Sequence, residues 1–211
     1  MSHFTVLVIG DNPEEQLTPF SEEISVPKYS VGKVSEQDRD TFIKCYYQKS
    51  DLCSGEPDED IPLNWEVFEK LYVDEGYGKG WNNNSYEKSK KGNWKEYSTY
   101  NPKSKWDWYV LGGRWSGMIK LKEGAEGVKG EAGVHDNEIG IDQACKRDII
   151  NLDEISTFAV LKDGEWYESG KMGWFGIVID GKDDDVWETE QKKLIEELPD
   201  NTLISIYDCH I

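Results

Sequence analysis

Apolar positions fall in short blocks along this chain, and most blocks carry the period of a definite element. Phe4 to Ile9 is a continuous, β-branched-rich run closed by Gly10-Asp11-Asn12-Pro13, the pattern of a buried strand ending in a turn. Pro13-Glu14-Glu15 suits the start of a helical turn. A helix is predicted from Ser35 to about Gln48, with Ser35 as its cap and Phe42, Cys45 and Tyr46 at helical spacing. Residues 50–62 read as a polar loop. Asn64 to Val73 gives a short helix with Trp65, Phe68, Leu71 and Tyr72 on one face.

Beyond Gly76 the periodicity stops. Gly76, Gly78, Gly80 and Asn82-Asn83-Asn84 supply turn chemistry, so an irregular excursion is predicted over about 76–106. Trp108 to Leu121 resumes as two strands, WYVL and WSGMIKL, separated by Gly112-Gly113-Arg114 at a tight turn or bulge. A glycine-rich connection follows over 123–140, then a helical turn around Asp142 to Asp148. Phe158 to Tyr167 is a hairpin, because Asp163-Gly164 sits between FAVL and EWYE. Trp174 to Ile179 is a strand. Asp183 to Leu198 is a helix whose acids crowd its first turn and whose apolar positions are Val186, Leu194, Ile195 and Leu198. Leu203 to Tyr207 is the last strand. Together these predict one α+β domain over 1–211, with a mainly antiparallel or mixed sheet. The first and last strands are expected in the same sheet, and the helices packed on one side.

Charge narrows the function. The 211 residues hold 42 acids and 24 Lys and Arg, for a net charge of −18. A surface of that sign repels phosphates, which argues against duplex DNA as a partner and leaves a nucleic-acid mimic open. With 9 Trp, 11 Tyr and 6 Phe the chain has far more to bury than a disordered acidic segment. No window approaches the roughly 18 apolar residues of a membrane span, and the start MSHFTVLVIG lacks a basic n-region and cleavage site, so no membrane partner and a cytoplasmic location are expected. Cys45, Cys53, Cys145 and Cys209 form no Cys-x-x-Cys pair. They are expected to be reduced small apolar residues, with no zinc and no cofactor.

The charge is not evenly spread. Between Gly76 and Trp106 there are seven lysines and two acids, a local net charge of +5, interleaved with Tyr77, Trp81, Tyr86, Trp94, Tyr97, Tyr100 and Trp106. Ammonium groups suit phosphates and rings stack on bases, so this stretch predicts a nucleotide-type site. An equally simple reading is an exposed loop solubilised by lysine and pinned by its rings. Adjacent lies Lys105-Trp106-Asp107-Trp108, then Gly112-Gly113-Arg114-Trp115. Arginine is scarce in this chain, and bare N–H groups at Gly112 and Gly113 beside the Arg114 guanidinium fit a phosphate or carboxylate. The alternative is structural, with Arg114 paired to a buried acid such as Asp107. The expected ligand-binding set is Arg114, Gly112, Gly113, Lys105, Trp106, Trp108, Trp115, Trp94 and Tyr100.

If the end strands pair, His3 comes near Asp208 and His210, a set with metal-binding or proton-transfer chemistry. The plainer reading is two histidines finishing an edge. No Gly-x-Ser-x-Gly elbow is present, and three histidines supply few bases, which makes an enzyme the less favoured class.

The stretches MSHFTVLVIGDNPEEQL, NPKSKWDWYVLGGRWSG, IDQACKRDI, MGWFGIVID and LPDNTLISIYDCHI, spread from end to end, resemble a family of uncharacterised bacteriophage and prophage proteins. The resemblance brings no catalytic residues to transfer. It implies an anti-defence role in the host cytoplasm, and with the Lys and aromatic stretch it predicts a binding protein that sequesters an anionic nucleotide-type signal without cleaving it. The cyclic nucleotide and cyclic ADP-ribose classes are the expected ligands. Two alternatives stay open: an acidic interaction protein that covers a host defence protein, and a small metal-dependent hydrolase or phosphodiesterase. Homo-oligomerisation is also open.

Overall fold

The computed structural model describes residues 2–48, 61–79, 83–132, 140–173 and 177–211. In chain order its elements are β1 (His3–Ile9), α1 (Pro13–Leu17), β2 (Tyr29–Lys33), α2 (Glu36–Gln48), α3 (Trp65–Glu69), β3 (Asn84–Lys88), β4 (Trp94–Ser98), β5 (Trp108–Gly113), β6 (Glu131–Ala132), β7 (Gln143–Cys145), β8 (Ala159–Lys162), β9 (Glu165–Glu168), β10 (Lys171–Met172), β11 (Val178–Ile179), α4 (Asp184–Glu196) and β12 (Leu203–His210). The fold is α+β with mixed sheets, and the chain divides into two compact units. One unit is Met1–Ile24 with Pro102–Ile211, and the other is Ser25–Asn101.

The first unit is built on a sheet of order β6-β5-β12-β1-β8-β9, with β7 also on β12. β1 pairs antiparallel with β12 and parallel with β8, so the first and last strands are neighbours as the pattern predicts. Phe4 to Ile9 reads as an unbroken apolar run because both faces of β1 are covered. Leu7 and Ile9 join Val160, Ile204 and Ile206 under Trp187 and Ile195 of α4. Phe4, Val6 and Val8 face the other way, onto Leu17, Phe20, Trp106 and Tyr207. That alternation is the period-2 geometry of a strand.

α4 begins with Asp184 and Asp185 in its first turn, where negative charge meets the helix dipole. Its buried face is Trp187, Gln191 and Ile195, spaced by four. Val186, expected among the apolar positions, is instead 45% exposed, because Trp187 fixes the rotation of the helix. Gln191 is tolerated inside since both ends of its amide are paired: Oε1 accepts from Thr157 N–H at 3.1 Å, and Nε2 donates to the Ile155 carbonyl at 2.6 Å. In the β8–β9 hairpin, Asp163 and Gly164 take φ of 54° and 76°, as a two-residue primed turn requires.

Other expectations shift. Of WSGMIKL, only Ile119 and Leu121 make isolated bridges, because the chain turns away from β5 at Gly112-Gly113. The 123–140 connection contributes β6, paired parallel to β5. The turn expected at Asp142 to Asp148 narrows to a 3-10 turn at Lys146–Asp148, after β7. Trp174, Trp81 and Cys53 lie outside the described residues. Cys45 is disulfide-bonded, against the expectation of reduced thiols, while Cys145 and Cys209 are free. A loop-closing disulfide has no fixed sequence spacing, so motif rules miss it.

The second unit sets α2 and α3 on a sheet of order β2-β4-β3. Ser35 caps α2 through a reciprocal box, Asp38 N–H donating to Ser35 Oγ at 3.1 Å and Ser35 N–H to Asp38 Oδ2 at 2.9 Å. Asn64 caps α3, accepting from the N–H groups of Glu66 and Val67 at 3.0 Å each. The stretch expected to be irregular holds the β3–β4 hairpin, whose Tyr86 and Trp94 pack on Phe42, Phe68 and Tyr72. Mixed polar and aromatic composition hid the alternation there. Among the described residues, no helix is long and apolar enough to cross a membrane.

Candidate functional site

Three strands carry the site because their registers align. His3 of β1 lies directly opposite His210 of β12, and His210 directly opposite Trp108 of β5. Side chains at paired positions share one face, so His3, His210 and Trp108 form a row across the sheet. The next row on that face is Thr5, Asp208 and Val110, and beyond it the apolar core under α4 begins.

Each imidazole is held by its own carboxylate. His3 Nδ1 is 2.8 Å from Asp208 Oδ1, and His210 Nδ1 is 2.7 Å from Asp107 Oδ1. A carboxylate only accepts, so both Nδ1 atoms donate. Asp107 is further fixed by its N–H, which donates to the His210 carbonyl at 2.9 Å. The two rings stand edge to face with centroids 5.0 Å apart, and His3 meets Trp108 edgewise at 6.3 Å. Neither Nε2 has a hydrogen-bond partner among the described residues. Both rings are partly exposed, and Trp108 is 48% exposed.

Asp208 is 2% exposed and also accepts the Arg114 N–H at 3.0 Å through Oδ2. Arg114 therefore meets a buried acid, but through its backbone and at Asp208; Asp107 is turned to His210. Its side chain is exposed. Gly112 and Gly113 adopt φ of 82° and 56°. A Cβ at Gly112 would lie 2.7 Å from Asp142 Oδ2, and one at Gly113 would lie 2.4 Å from Asp208 Cβ. Two of the protein's own carboxylates thus fill the space beside these glycines. Asp142, fully buried, accepts from Ser116 Oγ at 3.0 Å, Gly117 N–H at 2.6 Å and Gly130 N–H at 2.7 Å, an internal anion nest.

The remaining expected ligand residues are dispersed. Trp106 is core, its Nε1–H donating to the Leu17 carbonyl at 3.2 Å. Trp115 packs against the core below α4. Lys105 lines a cavity of about 200 Å³ with Phe4, Phe158 and Trp166, and its charge is met there by Glu168 at 2.7 Å. Trp94 and Tyr100 belong to the other unit, where Trp94 is buried in the core. Of the lysines between 76 and 106, Lys88 pairs with Glu69, and Lys79 donates to the Val73 carbonyl at 3.2 Å. Asp107 was not among the expected site residues; the signal was its place immediately before a strand that starts opposite His210.

On the other face of β12, burial pushes the Cys209 thiol well above its ordinary range, with the Asp208 charge adding to it. Burial likewise raises Tyr207. Among the described residues no group of three or more His, Cys, Asp or Glu is arranged to hold a metal ion. No protein-family model, no curated protein and no solved structure matches this chain.

Proposed function

We propose that the protein binds a small phosphate-bearing ligand of the nucleotide class at the His3–His210 pair. One observation carries this reading: two partly exposed imidazoles, centroids 5.0 Å apart, each with Nδ1 anchored and Nε2 without a partner among the described residues. In the imidazolium form, with Nδ1–H held by its carboxylate, each ring has an Nε2–H to donate to a phosphoryl oxygen. Trp108 offers an exposed ring for a base, and the exposed Arg114 is tied through its backbone to the carboxylate that holds His3. This reading keeps Trp108 and Arg114 from the expected set and moves the phosphate contact from Gly112-Gly113 to the imidazoles, since Asp142 and Asp208 crowd the glycines. In the phage setting that the sequence resembles, such a protein acts on a nucleotide signal of host defence.

Calorimetry with cyclic dinucleotides and cyclic ADP-ribose isomers tests it. Binding by the wild type, weakened at least tenfold in His210→Ala and in Trp108→Ala, supports the reading. Absence of heat with every one of these ligands ends it.

A further inference from the structure

We infer that the His3–His210 pair cleaves a ribonucleotide phosphodiester by acid–base transfer, with the substrate's own 2′-hydroxyl as nucleophile. This rests on the binding reading above and replaces capture by turnover. The two rings present Nε2 atoms from directly paired positions of β1 and β12. Their Nδ1–H groups are fixed on Asp208 and Asp107, so Nε2 is the atom left to take or give a proton on each ring. Two proton carriers within reach of one phosphodiester supply a general base and a general acid, each acting through a hydrogen bond of about 2.6–3.2 Å.

The described hydroxyl, thiol and carboxylate groups beside the pair are engaged or buried. Thr5 Oγ1 accepts the Phe158 N–H at 3.1 Å and is buried; Ser116 Oγ is spent on Asp142; Cys209 is sealed on the opposite face. Asp208 uses both oxygens, on His3 and on the Arg114 N–H. Two imidazoles alone fall short of the three or four ligands of a zinc site. A site with two proton carriers and no nucleophile of its own needs a substrate that brings one, and the ribose 2′-hydroxyl beside a 3′-phosphodiester is such a group.

The step balances without water, metal or oxidant. A neutral Nε2 takes the 2′-hydroxyl proton as O2′ forms its bond to phosphorus. The bond from phosphorus to the leaving O5′ breaks, its electron pair stays on that oxygen, and the protonated second imidazole gives its Nε2 proton there. The products are a 2′,3′-cyclic phosphate and a free 5′-hydroxyl, and proton exchange with solvent resets the pair. Asp107 and Asp208 are positioning residues in this scheme.

The test uses the full chain in EDTA with adenylyl-3′,5′-adenosine and cyclic di-AMP, and with their 2′-deoxy counterparts, products being identified by chromatography and mass spectrometry. The ribose compounds are expected to yield 2′,3′-cyclic phosphate ends. The 2′-deoxy compounds are expected to bind in calorimetry and stay intact. His3→Gln and His210→Gln, verified as folded by circular dichroism, should each lower turnover at saturating substrate by about 10²- to 10⁴-fold. Binding of intact ribose compounds overturns cleavage and leaves the binding reading standing; absence of both binding and cleavage overturns the two together. Cleavage that requires added metal, or that survives in both histidine variants, also overturns the assignment.

Discussion

His3 and Asp208 meet diagonally across β1 and β12: His3 is opposite His210 and Asp208 is opposite Thr5, yet His3 Nδ1 lies 2.8 Å from Asp208 Oδ1. The diagonal leaves His210 to find Asp107 instead, so the two rings are anchored independently. Asp208 also fastens the turn after β5 through the Arg114 N–H. Asp208→Asn puts an amide N–H against one of two donors, and a buried donor left unpaired costs about 1–3 kcal/mol. Urea unfolding should show that loss. Asp107→Asn, where the side chain is partly exposed, should show less than half of it.

Gly113 is dictated by the same carboxylate. Its φ of 56° is strained for other residues, and an added Cβ would come within 2.4 Å of Asp208 Cβ. Gly113→Ala is expected to destabilise by roughly 2 kcal/mol or more, combining left-handed strain with overpacking. Gly32→Ala is the matched control, since nothing lies within 4 Å of its Cβ position. Thermal melts of the two should separate clearly, with Gly32→Ala within about 0.5 kcal/mol of wild type.

Asp142 is the most heavily bonded buried acid described, with three donors converging on its two oxygens. Asp142→Asn keeps the volume and turns an N–H₂ toward donors. About 3 kcal/mol or more should be lost, as when one partner of a buried charged network is removed. Calorimetric unfolding of this variant near the wild-type midpoint would show that the nest is not needed.

Alkaline behaviour follows from two tyrosines. Burial pushes Tyr86 up to about 12, and burial raises Tyr207 as well. A folded value above the ordinary phenol range near 10 means that the stabilisation is complete below pH 10. It is lost as pH rises from 10 through the folded value. Absorbance titration near 295 nm should show Tyr86 and Tyr207 ionising only above the ordinary phenol range. Tyr86→Phe and Tyr207→Phe should each move alkaline unfolding to higher pH. Ionisation of all tyrosines in one step near pH 10 would contradict this.

Thiol reactivity distinguishes Cys145 from Cys209. Cys145 is half-buried, whereas Cys209 is fully buried with its thiol pushed up by burial. Iodoacetamide followed by peptide mass analysis should label Cys145 in the native protein and Cys209 only after unfolding. Native labelling of Cys209 at the rate of Cys145 would show that β12 opens.

The elements written in short-range pattern were legible. The run from Phe4 to Ile9, the Asp163-Gly164 turn, the Ser35 cap and the acid-led α4 each rest on residues within a few positions of one another. The hairpin at 84–98 was not, because its alternate positions mix Lys, Glu and Asn with rings, and the rings find their partners in α2 and α3. Of the aromatics that suggested a ligand platform, Tyr77, Tyr86, Trp94 and Trp106 pack into cores. Lysine and ring composition cannot tell the two uses apart.

The sequence alone determined the α+β class, the pairing of its first and last strands and the nomination of His3, Asp208 and His210 as neighbours. Which carboxylate meets which imidazole was decided by the registers of β1, β12 and β5, strands separated by up to two hundred residues. Register depends on how whole faces of the sheet bury against α4 and against Trp106, and a shift of one residue would turn His3 and His210 to the opposite face. Local pattern fixes the period of a strand, and only the assembled core fixes its alignment.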